Sequence, residues 1–175
     1  MMISVCVVFA CASDSDTVRF IDGILQERAT HLAGRDRREI ARALIGAERQ
    51  TRVDALLLLA MIEEESHYRS QARSRRGALG LLQVRPLTGR EVAERHQIPW
   101  NGEDSLLDPT VNILIGGRYL SDMKSRFGSW DLALTAYNHG PTKTNKIARR
   151  GRTPSSGYSA RVLRRFEALR KQSTP

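Results

Sequence analysis

The sequence predicts a mainly α-helical protein, and three observations support this class. Apolar residues recur at helical spacing, whereas no segment alternates polar and apolar residues convincingly as a half-buried strand does. Residues 53–62 form a nearly unbroken apolar run without a turn residue, which is typical of a buried helix. The chain has 175 residues, of which 41% are hydrophobic, so it is long enough to bury one core. We therefore expect a single helical domain.

The first 16 residues are expected to form a signal-like or lipoprotein-like segment. Residues 3–10 are a short apolar stretch followed by small residues, which resembles the end of a secretory signal, although a basic N-terminal region is lacking. Residues 8–11 also resemble a bacterial lipoprotein cleavage box, in which Cys11 would carry the lipid and tether the protein to a membrane. We expect export to the periplasm or the cell envelope. The alternative is a disordered or mis-started N-terminus.

The rest of the chain, residues 17–175, is expected to fold as one domain without cysteine. Both cysteines, Cys6 and Cys11, lie in the N-terminal segment. This excludes a structural disulfide, a zinc–cysteine site and a cysteine nucleophile from the folded body. No metal and no other cofactor are expected.

Four helices are predicted in the first part of this domain. A stripe of apolar residues begins at Val18 and ends near Gly34, and a heavily charged helix is centred on residues 40–47. The apolar run leads into the helix that carries Glu65, and residues 88–96 are expected to form a short fourth helix.

Three further helices are predicted by residues that start or stop helices. The pair Asp108–Pro109 is a start signal, and the helix that it opens is expected to stop near Gly128. Ser129 is the expected N-cap of a helix over residues 130–138. A final helix is expected over residues 158–171, after a loop.

Glu65 is a candidate general acid because of its position on its helix. At 3.6 residues per turn it lies on the same face as Leu58 and Met61, whereas Glu63 and Glu64 rotate away from that face. Burial raises the pKa of a carboxyl group, and a general acid needs a raised pKa near neutral pH. The alternative is a helix that has reached the surface with three solvated glutamates.

The charge of the chain favours an anionic partner. Lys and Arg number 28 against 19 Asp and Glu, which gives a formal net charge of +9. Nucleic acid, anionic lipid or a wall polymer that bears carboxylates would suit this balance. No recognition motif or interleaved aromatic residues accompany the arginines, so specific nucleic-acid binding is not expected. No stretch has the length of a transmembrane helix.

A series of motifs follows Glu65 along the chain. They are Glu65-Ser66, Gly77-Ala-Leu-Gly-Leu-Leu-Gln83, Asp108-Pro-x-x-Asn112, Ala136-Tyr-Asn138 and Gly157-Tyr158. In this order and spacing the set resembles the lysozyme-like domain of soluble-type lytic transglycosylases, which cut the glycan strands of bacterial peptidoglycan. The resemblance covers about residues 50–170. It implies a lysozyme-like single helical domain with a substrate cleft.

The resemblance implies that Glu65 is the catalytic acid. It would protonate the glycosidic oxygen between N-acetylmuramic acid and N-acetylglucosamine, and the substrate's own N-acetyl group would assist departure of the leaving sugar. The same carboxylate would then take the proton of the muramoyl 6-hydroxyl, which closes a 1,6-anhydro ring. This scheme needs neither water nor a second catalytic carboxylate, unlike the common two-carboxylate glycosidases.

The resemblance also implies a set of substrate-binding residues. Ser74 and Gln83 match positions that hydrogen-bond the N-acetyl arms of the glycan. Tyr137 and Asn138 match an Ala-Tyr-Asn motif that lines the cleft. Tyr158 matches a tyrosine whose hydroxyl lies near the catalytic carboxylate, and a core tyrosine with a satisfied hydroxyl is its alternative interpretation.

The chain departs from the family pattern at several positions along the expected groove. Arg85 replaces a residue that is more often apolar, which places a charge beside the glycan. His139 stands where Ala is common, and Pro154 stands where many relatives carry Glu. We therefore expect the fine specificity of the cleft to differ, whereas the catalytic centre follows the pattern.

Two other functions stay open on the sequence alone. A goose-type-like muramidase would hydrolyse the same bond with water on the same fold. A non-catalytic protein would bind or assemble peptidoglycan without cleaving it. Glycan strands of peptidoglycan are the expected partner in each case, and a secretion or cell-wall machinery is a further candidate partner.

Overall fold

The computed structural model describes residues 13–149 and 157–173. Within these ranges the chain has eight α-helices, one 3-10 helix and no β-strand, which confirms the mainly α-helical class. No helix in the described ranges is both long and apolar enough to span a membrane. The α-helices are α1 (Asp14–Arg28), α2 (Gly34–Thr51), α3 (Ala55–Ser66), α4 (Pro86–His96), α5 (Pro109–Phe127), α6 (Trp130–His139), α7 (Pro141–Ala148) and α8 (Gly157–Ser173).

The N-terminal segment is described only from residue 13 onward. Cys6 and Cys11 lie outside the described residues, so their proposed roles stay predictions. α1 begins at Asp14, and the Ser13 side chain accepts the N–H of Asp16 as an N-cap. The start of α1 therefore precedes residue 17, where the sequence placed the start of the domain.

The first helix is shorter than the sequence predicts. α1 ends at Arg28 instead of near Gly34, because Ala29 leaves the helical region with a φ of −120°. The Leu32 N–H then bonds to the Ala29 carbonyl in a turn. Ala29 is fully buried and Leu32 packs against the core, so the apolar spacing continues after the helix has ended.

α3 is the most deeply buried helix. Every residue from 55 to 62 is buried, and α3 packs against α2 and α8. Asp54 caps the helix through a first-turn N–H at 2.8 Å, and the left-handed His67 ends it. The helix is apolar on every side up to residue 62. Glu63 is the first partly exposed residue after this buried run.

α5 is the second central helix and packs against α2, α4 and α6. Its predicted start is confirmed, because the Asp108 side chain accepts the Val111 N–H at 2.9 Å. Its predicted stop is confirmed by Gly128, which adopts the left-handed conformation. Ser129 caps α6 as predicted, through the Leu132 N–H.

Two elements were not predicted from the sequence. One is the 3-10 helix over Glu103–Leu107, which packs against α4 and α5. The other is α7, which begins with Pro141 directly after Gly140. A proline at the first helical position is a start signal that the sequence carries here.

Candidate active site

Glu65 lies at the C-terminal end of α3 with a pKa raised to about 7. Burial is the main cause, because a carboxylate loses its hydration there. The nearby hydroxyl of Tyr158 lowers this pKa because it stabilises the charged form, and the negative charge of Glu64 raises it. Near neutral pH the carboxyl group is therefore partly protonated, which suits a proton donor.

The two preceding glutamates are engaged by arginines instead of lining the cleft. Glu63 pairs with Arg28 of α1 at 3.1 Å and with Arg165 of α8 at 3.0 Å. Glu64 pairs with both Arg161 and Arg165. The interpretation of Glu63, Glu64 and Glu65 as three solvated surface residues is therefore wrong.

A loop over residues 67–85 forms one wall of the cleft, and Asn112 of α5 holds this loop in place. The Asn112 side chain is fully buried. Its Oδ1 accepts the Leu82 N–H at 2.8 Å, and its Nδ2 donates to the carbonyls of Leu79 and Leu106 at 2.9 and 2.8 Å. Asn112 belongs to one of the motifs found in the sequence, but the motif alone predicted no role for it.

Two glycines allow this loop to approach its supports. Gly80 has a φ of +77°, and a Cβ there would lie 2.1 Å from the Leu106 carbonyl oxygen. A Cβ at Gly116 of α5 would lie 2.6 Å from Leu82 Cδ1 and 3.1 Å from the Tyr137 hydroxyl. Both positions therefore exclude any larger residue without a shift of the cleft wall.

The cleft around Glu65 has a volume of about 240 Å³. Among the described residues, Glu65 is the only carboxylate that lines it. The described residues hold no cluster of three or more His, Cys, Asp or Glu side chains that would suit a metal ion. The residues that line the cleft are Glu65, Ser74, Arg76, Ala78, Gln83, Arg85, Tyr137 and Asn138.

The structure places Ser74 and Gln83 in the cleft wall, where both also stabilise the loop. The Ser74 hydroxyl oxygen accepts two loop N–H groups at 2.9 and 3.3 Å, which leaves its hydrogen for a ligand. The Gln83 amide nitrogen donates to two loop carbonyls at 2.9 and 3.3 Å, which leaves its oxygen as an acceptor. Gln83 also adopts a φ of +47°, a rare conformation for a residue with a side chain.

Tyr137 and Asn138 enter the cleft from the end of α6. The Tyr137 hydroxyl donates to the Leu82 carbonyl at 2.8 Å, and its ring packs against Tyr119 with centroids 5.2 Å apart. This hydroxyl is therefore engaged by the protein, and the ring is what Tyr137 offers a ligand. Asn138 is exposed, so its amide group is accessible from the cleft.

Tyr158 lies in α8 and does not line the cleft itself. Its buried hydroxyl has no hydrogen-bond partner by distance and angle within the described residues. It lies close enough to Glu65, however, to lower the pKa of that carboxyl group, and burial raises its own pKa well above the usual value. The interpretation as a core tyrosine with a fully satisfied hydroxyl is therefore not supported.

The cleft continues into two larger cavities that share side chains with it. One has a volume of about 480 Å³ and lies toward the first turn of α4. The other, of about 390 Å³, lies toward α6 and the start of α7. The three cavities form a groove, which suits a polymeric ligand better than a small molecule.

Known proteins share part of their sequence with this chain. The chain is 36% identical over 85 residues to the soluble lytic murein transglycosylase of Salmonella typhimurium, which covers 47% of this chain and 13% of that protein. It is 28% identical over 129 residues to a transglycosylase of Enterobacteria phage PRD1, which covers 74% of this chain and 43% of that protein. The chain thus spans less than half the length of these relatives.

A solved structure shows the same fold. The 70 kDa soluble lytic transglycosylase of Escherichia coli superimposes with a TM-score of 0.72 at 22% sequence identity, over 92% of this chain and 30% of that one. Residues 42–157 match the family described as the Transglycosylase SLT domain. Because the match extends over more than half of its length, the chain belongs to the Transglycosylase SLT domain family.

Proposed function

We propose that the chain is a peptidoglycan lytic transglycosylase that cleaves the β-1,4 bond between N-acetylmuramic acid and N-acetylglucosamine and forms a 1,6-anhydromuramoyl product. The observation that carries the proposal is Glu65, a half-buried carboxyl group with a pKa of about 7 in a groove of polymer size. The names of the relatives, which include lytic murein transglycosylases, support the same reaction class.

The reaction uses Glu65 in both of its steps. The protonated carboxyl group gives its proton to the glycosidic oxygen as the bond to the muramoyl C1 breaks. The N-acetyl group of the substrate stabilises C1 until the muramoyl 6-hydroxyl attacks it. The Glu65 carboxylate takes the proton of that hydroxyl, so the enzyme ends in its starting protonation state. A pKa near 7 suits both donating and accepting the proton.

The acidic residues of the chain favour this scheme over hydrolysis by two carboxylates. Such enzymes place two carboxyl groups roughly 5–9.5 Å apart across the scissile bond. All 19 Asp and Glu residues lie within the described ranges, and the cleft is lined by Glu65 alone among them. The hydroxyl of Ser74 and the amide groups of Gln83 and Asn138 are the groups available to orient the N-acetyl arms.

Peptidoglycan lies outside the cytoplasmic membrane, so this function requires export. We infer that the segment before α1 directs the chain to the cell envelope and that Cys11 carries a lipid. Fractionation of cells that express the wild type or Cys11→Ser tests this: the wild type is expected in the membrane fraction and the variant in the soluble one. Equal distribution would contradict the lipid anchor.

Digestion of purified peptidoglycan sacculi tests the reaction itself. Mass spectrometry of the soluble products is expected to show 1,6-anhydromuropeptides for the wild type. Glu65→Gln is expected to lose a factor of about 10²–10⁴ in rate, because the amide has no acidic proton to give. Glu94→Gln, an exposed glutamate on α4, is the matched control and is expected to retain full activity.

Three outcomes would contradict the proposal. Products with reducing ends instead of anhydro ends would indicate a muramidase. Full activity of Glu65→Gln would remove the catalytic role of Glu65. Binding to sacculi without any cleavage by the folded wild type would indicate a non-catalytic protein.

A further inference from the structure

Two arginines lie where the three cavities of the groove meet. Arg76 and Arg85 are the only described residues that line all three cavities. A glycan strand that extends from the cleft into either neighbouring cavity therefore passes both guanidinium groups.

Neither arginine has a carboxylate partner among residues 13–149 and 157–173. Arg73 lines the same groove but pairs with Asp104 at 2.9 Å. The pKa of Glu65 is set by other groups, with no contribution from Arg76 or Arg85. The charges of Arg76 and Arg85 are therefore not neutralised by a carboxylate of the described residues. They also do not stabilise the ionised form of Glu65.

The surroundings of this pair combine positive charge with apolar surface. Leu87 is 61% exposed, the only large apolar side chain exposed to this degree in the described chain, and it lines the cavity of about 480 Å³ with both arginines. The first turn of α4 begins beside Arg85 and has no side-chain cap, so its partial positive charge has the same sign. A bare sugar offers no charge to such a surface, whereas a short acidic peptide offers carboxylates and methyl groups.

We propose that Arg76 and Arg85 form a subsite for the carboxylates of the peptide attached to the muramoyl residue near Glu65. The inference rests on the proposed function, because it takes peptidoglycan as the substrate. A guanidinium group binds a carboxylate through two parallel N–H···O hydrogen bonds, which a shorter or apolar side chain does not reproduce.

Kinetics on three substrates test the subsite. The first is native sacculi, the second is sacculi whose carboxylates have been converted to amides, and the third is amidase-treated strands that keep only the lactyl carboxylate. The variant Arg76→Gln/Arg85→Gln is compared with Arg35→Gln/Arg42→Gln. The control pair loses the same charge in a cavity between α2 and α5 that shares no residue with the groove.

The groove variant is expected to raise KM about tenfold on native sacculi with kcat nearly unchanged, because it removes two charge-assisted contacts made by the ground state. On amidated sacculi it is expected to match the wild type, and the control variant is expected to match the wild type on every substrate. An unchanged KM on native sacculi would overturn the subsite. A tenfold rise in KM on amidase-treated strands would show that the arginines bind the lactyl carboxylate and would contradict binding of the peptide.

Binding in the Glu65→Gln background separates this inference from the proposed function. Co-sedimentation with native sacculi is expected to fall about tenfold when Arg76 and Arg85 are also replaced by Gln. This readout does not depend on turnover. Inactivity of the wild type would therefore contradict the transglycosylase, whereas undiminished co-sedimentation would contradict the subsite.

Discussion

Arg165 of α8 lies against Glu64 of α3, with its Nη2 3.1 Å from the Oε2 of that glutamate. The same guanidinium group reaches Glu63 with Nη1 at 3.0 Å. These ion pairs connect α8 to α3 directly before Glu65. α8 also carries Tyr158, whose hydroxyl lies beside the Glu65 carboxyl group. Two of the three consecutive glutamates bind the neighbouring helices, which leaves the third for the cleft.

A double-mutant cycle on Glu64 and Arg165 is expected to give a coupling free energy of about 0.5–1 kcal/mol in urea unfolding. The side chains are 12% and 33% exposed, so solvent screens them incompletely. The exposed pair Arg73 and Asp104, at 53% and 78%, is the control and is expected to couple less. Equal coupling free energies in both cycles would mean that the ion pair between α3 and α8 stabilises the fold no more than an exposed ion pair does.

The stability of the protein is expected to depend on pH through Glu65. Its pKa is raised from 4.5 to about 7 in the folded state, so the folded state binds more protons between these values. The stabilisation is complete below pH 4.5 and is lost as pH rises to about 7. Relative to the wild type, Glu65→Gln should gain about 3 kcal/mol between pH 4 and pH 8. Urea unfolding at both pH values measures this gain, and Glu94→Gln should show none.

The activity is expected to decrease above about pH 7, because the proposed mechanism requires Glu65 to be protonated before it donates. Tyr158→Phe removes the hydroxyl that lowers this pKa, so the inflection in kcat/KM should move to higher pH by roughly half a unit to one unit. Tyr119→Phe, a change beside Tyr137 in the adjoining cavity, should leave the inflection in place. A downward shift for Tyr158→Phe would show that the hydroxyl does not stabilise the carboxylate.

Asn112→Ala is expected to destabilise the protein by about 3 kcal/mol, because it leaves buried backbone groups of the cleft wall without partners. Asn112→Asp keeps the acceptor for the Leu82 N–H but loses both donated hydrogen bonds, so it should be destabilised as well. Turnover of sacculi should fall together with thermal stability. The exposed Asn101→Ala serves as the control. A stable Asn112→Ala variant with full activity would contradict the role of Asn112.

The helices were largely predictable because their signals are local. Apolar spacing and the caps Asp108, Ser129 and Gly128 act over one or two turns, and the structure confirms them. The end of α1 was mispredicted because Ala29 stays buried in a turn, and burial alone does not distinguish a turn from a helix. The helix after Pro141 was missed although its proline is a start signal.

The sequence by itself determined the helical class, the motifs of the family and Glu65 as the candidate acid. Only the tertiary structure decided how the polar groups around Glu65 are shared. In the folded chain Glu63 and Glu64 pair with arginines from distant parts of the sequence. The Tyr137 hydroxyl donates to a loop carbonyl, and Arg76 and Arg85 line the groove without a carboxylate partner among the described residues. These assignments depend on contacts between residues up to 102 positions apart. Local propensity carries no information on such contacts, because they form only when the helices pack.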